Sequence, residues 1–271
     1  MYRNVVAWSV AAGIVLAGMP ALAATSPWVG RLEAEQFAGW NSNVEMRPPS
    51  AAELTQGKGA PGDLLFRTKF GGNGRYVFPT RTMITGQANY NLIRFAQLGQ
   101  YNASMFLGNV MVMQPVFDFA TVYGGAMGIV THGDTTTGVW RFDKDVIGGL
   151  LLQTPVSKTS AVFGGYNLDW MLTDVATSAF RGHTLQAGYR QVVTDAFSLT
   201  GGYRFFYKDA DVLEKQGRHT IGVTGRYGLW QNFLALTGKT EFTFINGFGL
   251  NGAPGNNSTL WDLSLMLNGG F

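Results

Sequence analysis

The stretch Phe197-Ser198-Leu199-Thr200-Gly201-Gly202-Tyr203-Arg204-Phe205-Phe206-Tyr207-Lys208 decides the fold class. Its odd positions read Phe197, Leu199, Gly201, Tyr203, Phe205, Tyr207, and its even positions read Ser198, Thr200, Gly202, Arg204, Phe206, Lys208. One face is apolar and the other mostly polar, which is the period of a strand and not of a helix. The neighbouring segments repeat the pattern. Ile221, Val223, Tyr227 and Leu229 alternate with Thr220, Gly222, Thr224 and Arg226, and Leu185, Ala187, Tyr189 and Val193 with Thr184, Gln186, Gly188, Arg190 and Thr194. At the end of the chain Trp261, Leu263, Leu265, Leu267 and Phe271 alternate with Asp262, Ser264, Met266, Asn268 and Gly270.

Segments of this length exceed soluble strands, which average about 5 to 6 residues. They suit tilted strands crossing a bilayer, which need roughly 9 to 11. Composition agrees. The 271 residues carry 20 Lys+Arg and 17 Asp+Glu, a charged fraction of 14%, against roughly 25% for an ordinary soluble domain. Mean hydropathy is nevertheless near zero, and a helical membrane bundle would require several apolar runs of about 18 residues. The absence of Cys excludes a disulfide framework, thiolate-bound zinc, thiol chemistry and a lipoprotein anchor. A net charge of +3, dispersed along the chain, does not indicate nucleic acid.

Residues 1–23 read as a secretory signal peptide: Arg3, an apolar core from Val5 to about Leu16, then Ala21-Leu22-Ala23 as the cleavage site. Gly18, Met19 and Pro20 close a core too short to span a membrane. Cleavage after Ala23 leaves residues 24–271 as the barrel domain.

Turn lengths count the strands. Short connections fall at Gln231-Asn232, Asp195-Ala196, Pro155 to Lys158, and Gln114-Pro115. Long ones fall at 247–257, 209–217, 174–182 and 133–137. Eight segments follow: about 116–132, 138–153, 160–173, 183–194, 197–208, 218–230, 233–246 and 258–271. Upstream, 101–113 is mostly apolar, 80–92 alternates, and 63–70 followed by a Gly71-Gly72-Asn73-Gly74 turn reads as a hairpin arm. The segment 31–46, with Glu33 and Glu35 among few apolar residues, reads as a first strand or a periplasmic lead-in. Including it gives an all-β, antiparallel up-and-down barrel of about twelve strands, with ten as the alternative. Trp170, Tyr207, Phe244 and Trp261 would form one aromatic girdle, and Phe117, Phe197 and Phe271 the other.

The signal peptide, the amphipathic strands and the final strand from Leu260 to Phe271 together resemble Gram-negative outer-membrane β-barrel proteins. The resemblance concerns architecture and selects no single family. It implies outer-membrane lipid and lipopolysaccharide as surroundings, and the barrel-assembly machinery as a partner during biogenesis. Phe271 with Leu263, Leu265 and Leu267 is similar to the assembly signal of that class, while Gly269 stands where a bulky residue is common. The length excludes a plugged receptor and an autotransporter with its passenger. It fits narrow substrate-selective porins and outer-membrane lipid hydrolases.

By parity Arg190, Arg204, Arg226 and Lys239 point into the lumen, with Glu241 and Asp262 facing them. Such a ladder creates a transverse field that orients a polar or anionic solute. The alternative is that these charges pair and seal the interior. Inward Gly188, Gly202 and Gly222 leave space for an open lumen. The implied role is a narrow, passive, porin-like channel for small polar or anionic solutes. Two other roles stay open, a non-conducting barrel anchoring an envelope assembly and an outer-membrane lipid hydrolase.

For hydrolysis, His183 and His219 have outward parity, but Tyr207 stands between them and no outward Ser lies near either. The loop His132-Gly133-Asp134-Thr135-Thr136-Thr137 lacks the His-x-Ser core that such hydrolases carry, and turn chemistry explains it as well. No catalytic residue, metal site or cofactor is therefore assigned, since three scattered His without Cys have no ligand spacing. The loop Asp209 to Arg218 reads as a solvated loop able to contact lipopolysaccharide. Deleting residues 24–47 separates the two readings of the N-terminal segment. Loss of barrel assembly, seen as loss of heat-modifiable mobility on gels, marks a strand, whereas an intact barrel that loses a partner marks an anchor.

Overall fold

The computed structural model describes residues 27–42, 62–99, 102–133, 140–173, 179–209, 215–230, 234–248 and 254–270. The segment expected to be a signal peptide, most of the expected long loops and Phe271 lie outside the described residues. The described chain forms twelve strands: β1 (Trp28–Asn41), β2 (Asp63–Val77), β3 (Met83–Phe95), β4 (Ala103–Phe117), β5 (Ala120–Gly133), β6 (Trp140–Pro155), β7 (Ser160–Thr173), β8 (Phe180–Val192), β9 (Phe197–Asp209), β10 (Lys215–Trp230), β11 (Leu234–Phe248) and β12 (Pro254–Gly270). Each pairs antiparallel with its neighbours in sequence, and β1 closes the ring against β12.

The count is twelve because residues 28–41 form a strand hydrogen-bonded on both sides. Glu33 stands opposite Gly71 on β2 and Gly270 on β12. The segment looked weak because its inward positions carry charges and its outward ones include Ala34, Gln36 and Ala38. Their partners lie far along the chain: Arg67 bonds Glu35, and Lys69 approaches Glu33 at 3.3 Å.

Antiparallel partners share a face, so the registers sort each strand into two rows. One row is exposed and apolar, as at Leu32 (67% exposed) and Ile221 (62% exposed). This outer face also carries Trp170, Phe244 and Trp261 towards the long-loop end, and Phe117 at the short-turn end. The other row faces inward. On β4 to β6 it is apolar too: Met105, Leu107, Met111, Tyr123, Met127, Ile129 and Ile147 form a buried cluster, with Ile129 only 1% exposed. Apolar residues on both faces of β4 explain why 101–113 lacks alternation.

Two expected turns are corrected. Gly71-Gly72-Asn73-Gly74 is no turn; β2 runs through it, paired on both sides. A Cβ at Gly71 would lie 2.4 Å from the Ala88 carbonyl oxygen and 2.1 Å from Asn89 Oδ1, so glycine is required here by close approach and not by reversal. Gln114-Pro115 is likewise within β4, where a register irregularity between Pro115 and Phe117 accommodates the missing N–H. The reversal follows at Asp118 and Phe119.

Side chains tie the strand ends. Asp63, 1% exposed, accepts the backbone N–H groups of Leu64, Gln97 and Leu98 at 2.7, 2.8 and 2.7 Å. It pins the start of the β3–β4 connection to the start of β2. At the opposite end Arg81, in the left-handed region (φ 66), donates to Asp118 at 3.2 Å and links two short turns.

Replacing Gly71 by Val should strongly reduce the folded, heat-modifiable fraction, because the added carbon meets backbone. Gly238→Val, where nothing lies within 4 Å of an added Cβ, should fold normally in the same assay.

Candidate functional site

Twelve strands spaced about 4.8 Å apart and tilted by roughly 40° enclose a barrel of about 12 Å radius at the backbone. This is wider than an eight-stranded barrel that side chains fill, and narrower than one with an open aqueous channel along its length. The inward side chains therefore determine the free space.

Those side chains make three kinds of wall. The apolar cluster of β4 to β6 is the first. The second is acidic: Asp143 and Asp145 on β6, both buried, and Asp169 on β7. Asp145 and Asp169 are close enough for their charges to repel. A chain of hydrogen bonds supports them. Tyr123 lies across Gly149 and donates to Asn167 at 2.6 Å, and Asn167 donates to Asp169. Glycine is needed at 149 because a Cβ there would stand 2.6 Å from the Tyr123 hydroxyl and 2.3 Å from the Tyr166 carbonyl oxygen.

The third wall runs from β8 round to β2 and is mostly cationic. Arg190, Arg204, Arg226, Lys239, Glu241 and Asp262 all occupy the inward row of their strands. They do not act alike. Lys239 Nζ stands 2.8 Å and Arg204 Nη2 3.7 Å from Glu241. Asp262 faces Glu241 across the β11–β12 pair. Two cations thus converge on Glu241, with Asp262 beside it, which offsets much of the field the ladder would exert here. Arg190 and Arg226 lie nearer the short turns and take no part in this cluster.

The glycines expected to leave space are covered. The Phe163 ring lies over Gly188, 2.3 Å from where a Cβ would be, and the Glu241 side chain lies 2.9 Å from the equivalent point at Gly222. At Gly202 the nearest atom to that point is the Ala187 carbonyl oxygen, at 3.1 Å. Other inward aromatics hold cations against the wall: Lys208 lies 4.9 Å from the Phe180 ring, Arg218 5.7 Å from Phe206, and Arg67 5.0 Å from Phe37. Such cation–π contacts draw the charges aside from the barrel axis.

Sequence parity did not single out Arg31, Arg67, Arg75, Asp143, Asp145 or Asp169. Their signal was present, since each alternates with outward residues. Without the registers of β1, β2, β6 and β7, that parity could not be anchored to a face.

The outer face carries the histidines. Tyr166 Oη lies 2.7 Å from His183 Nδ1, and Tyr203 Oη lies 2.7 Å from His219 Nδ1, the same arrangement two strands apart. Each imidazole is thereby occupied by a phenol. His132 stands directly across from Ser104 in the β4–β5 register. That juxtaposition was invisible to a search for His-x-Ser. Leu263, Leu265 and Leu267 also face outward, whereas the Phe271 expected beside them lies outside the described residues. The solvated loop expected from Asp209 to Arg218 is shorter than that: β10 begins at Lys215, whose Nζ approaches Asp209 at 2.7 Å, and Arg218 is a buried inward residue of the strand, 2% exposed, held on the Phe206 ring. Among the described residues no cluster of His, Asp or Glu could hold a metal ion.

No family model matches the chain, and no curated protein matches its sequence. Solved structures do. An outer-membrane channel from Pseudomonas putida F1 superposes with a TM-score of 0.53 at 10% identity, covering 93% of this chain and 99% of that one. The NanC porin gives 0.48 at 12% identity over 87% and 98%, and LpxR from Salmonella typhimurium 0.47 at 5% identity over 86% and 99%. Identities this low speak for the fold alone. The fold is that of the outer-membrane β-barrel proteins.

Proposed function

We propose that this chain is a barrel of the Gram-negative outer membrane, forming a narrow passive channel for small polar or anionic solutes. The observation that supports this best is the interior: a closed barrel places a cationic wall and an acidic wall on its inward face. A barrel serving only as an anchor needs no such opposed charges. In this reading residues 1–23 are a cleaved signal peptide, and the exposed apolar row meets outer-membrane lipid and lipopolysaccharide. Leu263, Leu265, Leu267 and Phe271 serve recognition by the barrel-assembly machinery.

A solute would pass between the walls, drawn aside by the inward charges as a dipole or anion in a low-dielectric sleeve. Arg190, Arg204, Arg226, Lys239, Glu241 and Asp262 bias the passage. The pairing of Glu241 with Arg204 and Lys239 makes that carboxylate the regulator of the local field. A second reading, hydrolysis of membrane lipid, rests on Ser104 standing across from His132 on the outer face.

Single-channel recording of the purified barrel in a planar bilayer, under a salt gradient, tests the proposal. Discrete steps with a reversal potential favouring anions are expected. A folded barrel that stays silent would overturn the channel reading and leave Ser104→Ala, assayed by fatty-acid release, as the next experiment. In the conducting protein, Glu241→Gln unmasks two cations, so the anion-to-cation permeability ratio should rise about two- to fivefold. No change in reversal potential would remove Glu241 from the conduction path.

A further inference from the structure

Apart from Lys208 and Arg218, which lie on ring faces towards the long loops, the inward cations named above and four further arginines divide into two populations by height in the barrel. At mid-height they are engaged: Arg67 with Glu35, Lys69 with Glu33, and Arg204 and Lys239 with Glu241. Near the short turns stand four more arginines. Arg31 lies three residues into β1, Arg75 two before the end of β2, Arg190 two before the end of β8 and Arg226 four before the end of β10. All four belong to the inward row, since Arg31 pairs with Asn73, Arg75 with Thr85, Arg190 with Thr200 and Arg226 with Ser198.

None of the four has a carboxylate within salt-bridge distance among the described residues. The nearest inward carboxylate along β1 is Glu33, and it is committed to Lys69 and to Asn73. Arg75 Nε is buried from water and has no hydrogen-bond partner. Arg31 and Arg190 are close enough to Arg226 for their charges to repel it, although they reside on β1 and β8. Between them β9 to β12 contribute hydroxyl and amide side chains at this level, including Ser198, Thr200, Thr237 and Asn268. Like charges brought together without counter-charges cost stability. An arrangement that carries this cost across four strands is explained by a counter-charge supplied from outside the chain.

We infer that Arg31, Arg75, Arg190 and Arg226 form a binding site for a multi-anionic solute, one bearing two or more carboxylate or phosphate groups, at the short-turn mouth of the barrel. A guanidinium donates two parallel hydrogen bonds to one oxyanion group. Several forks spread round an arc engage a solute whose oxyanions are spaced apart, and hold a single monovalent anion only weakly. The site refines the channel reading, on which it depends for the solute's route. In that reading it lies at the periplasmic mouth, where it would retain solute that has passed the paired charges at mid-height.

Citrate is a suitable probe, with acetate at matched ionic strength as the monovalent reference. Heat of binding to the purified chain in uncharged detergent at low salt should show citrate binding at least about tenfold tighter than acetate. Arg31→Gln with Arg226→Gln should weaken citrate by about tenfold or more, and the corresponding double Lys variant by less, since it keeps charge and loses the fork. Arg81→Gln, on a short turn and paired with Asp118, should leave citrate affinity unchanged. Removing mutually repelling charges should not impair folding, and Arg190→Gln alone provides a second, milder variant. Citrate binding no tighter than acetate, or unaffected in both the double Gln variant and Arg190→Gln, overturns the site. Bilayer recordings separate the two claims. Conductance without citrate binding removes the site and keeps the channel, and citrate binding by a silent barrel keeps the site and removes the channel.

Discussion

The hydrogen-bonded seam between β1 and β12 is the constraint on which the rest depends. In hydrocarbon each unpaired backbone N–H or C=O costs several kcal/mol, so a sheet with free edges cannot remain there. The seam runs from Glu33 opposite Gly270 to Asn41 opposite Asp262, joining the two ends of the described chain. Once it closes, every strand has two neighbours and the alternation of side chains becomes a distinction between inside and outside. The aliphatic row is then free to face an apolar solvent, and the polar row is enclosed.

Enclosure changes what the polar row must do. A charge in a narrow sleeve has little water to solvate it, so it needs a partner, a ring face or a route to the opening. The interior uses all three. Glu241 draws in Arg204 and Lys239, while Phe180, Phe206 and Phe37 lie beneath Lys208, Arg218 and Arg67. Arg31, Arg75, Arg190 and Arg226 stand towards the short-turn end of their strands, and a route to that opening is what the proposed site would use. The apolar inner wall of β4 to β6 confines most of the inward charge to the remaining part of the circumference.

Much of the wall was legible in the chain. Strands β8 to β12 alternate cleanly because one face is apolar throughout and the other polar, so period and parity coincide with placement. Legibility failed where one face departed from that rule. On β1 the inward charges Glu33 and Glu35 obscured the pattern, because the cations that balance them lie more than thirty residues away. On β4 both faces are apolar. At Gly71 to Gly74 the glycines suggest reversal, yet the strand runs through them and Gly71 serves close contact with β3, which composition does not distinguish from a turn.

Local alternation, segment length and low charge determined by themselves that the chain forms long amphipathic strands closing into a barrel, because period two is imposed by backbone geometry and visible within a dozen residues. Parity alone also put Arg190, Arg204, Arg226, Lys239, Glu241 and Asp262 on the inward row. Which of them would be cancelled and which left free was decided only by the tertiary structure. Partnership depends on register and on height in a tilted barrel, and these bring together residues far apart in sequence, as with Arg204 and Glu241 or Ser104 and His132. The space inside was settled in the same way, since the Phe163 ring that covers Gly188 comes from the neighbouring strand.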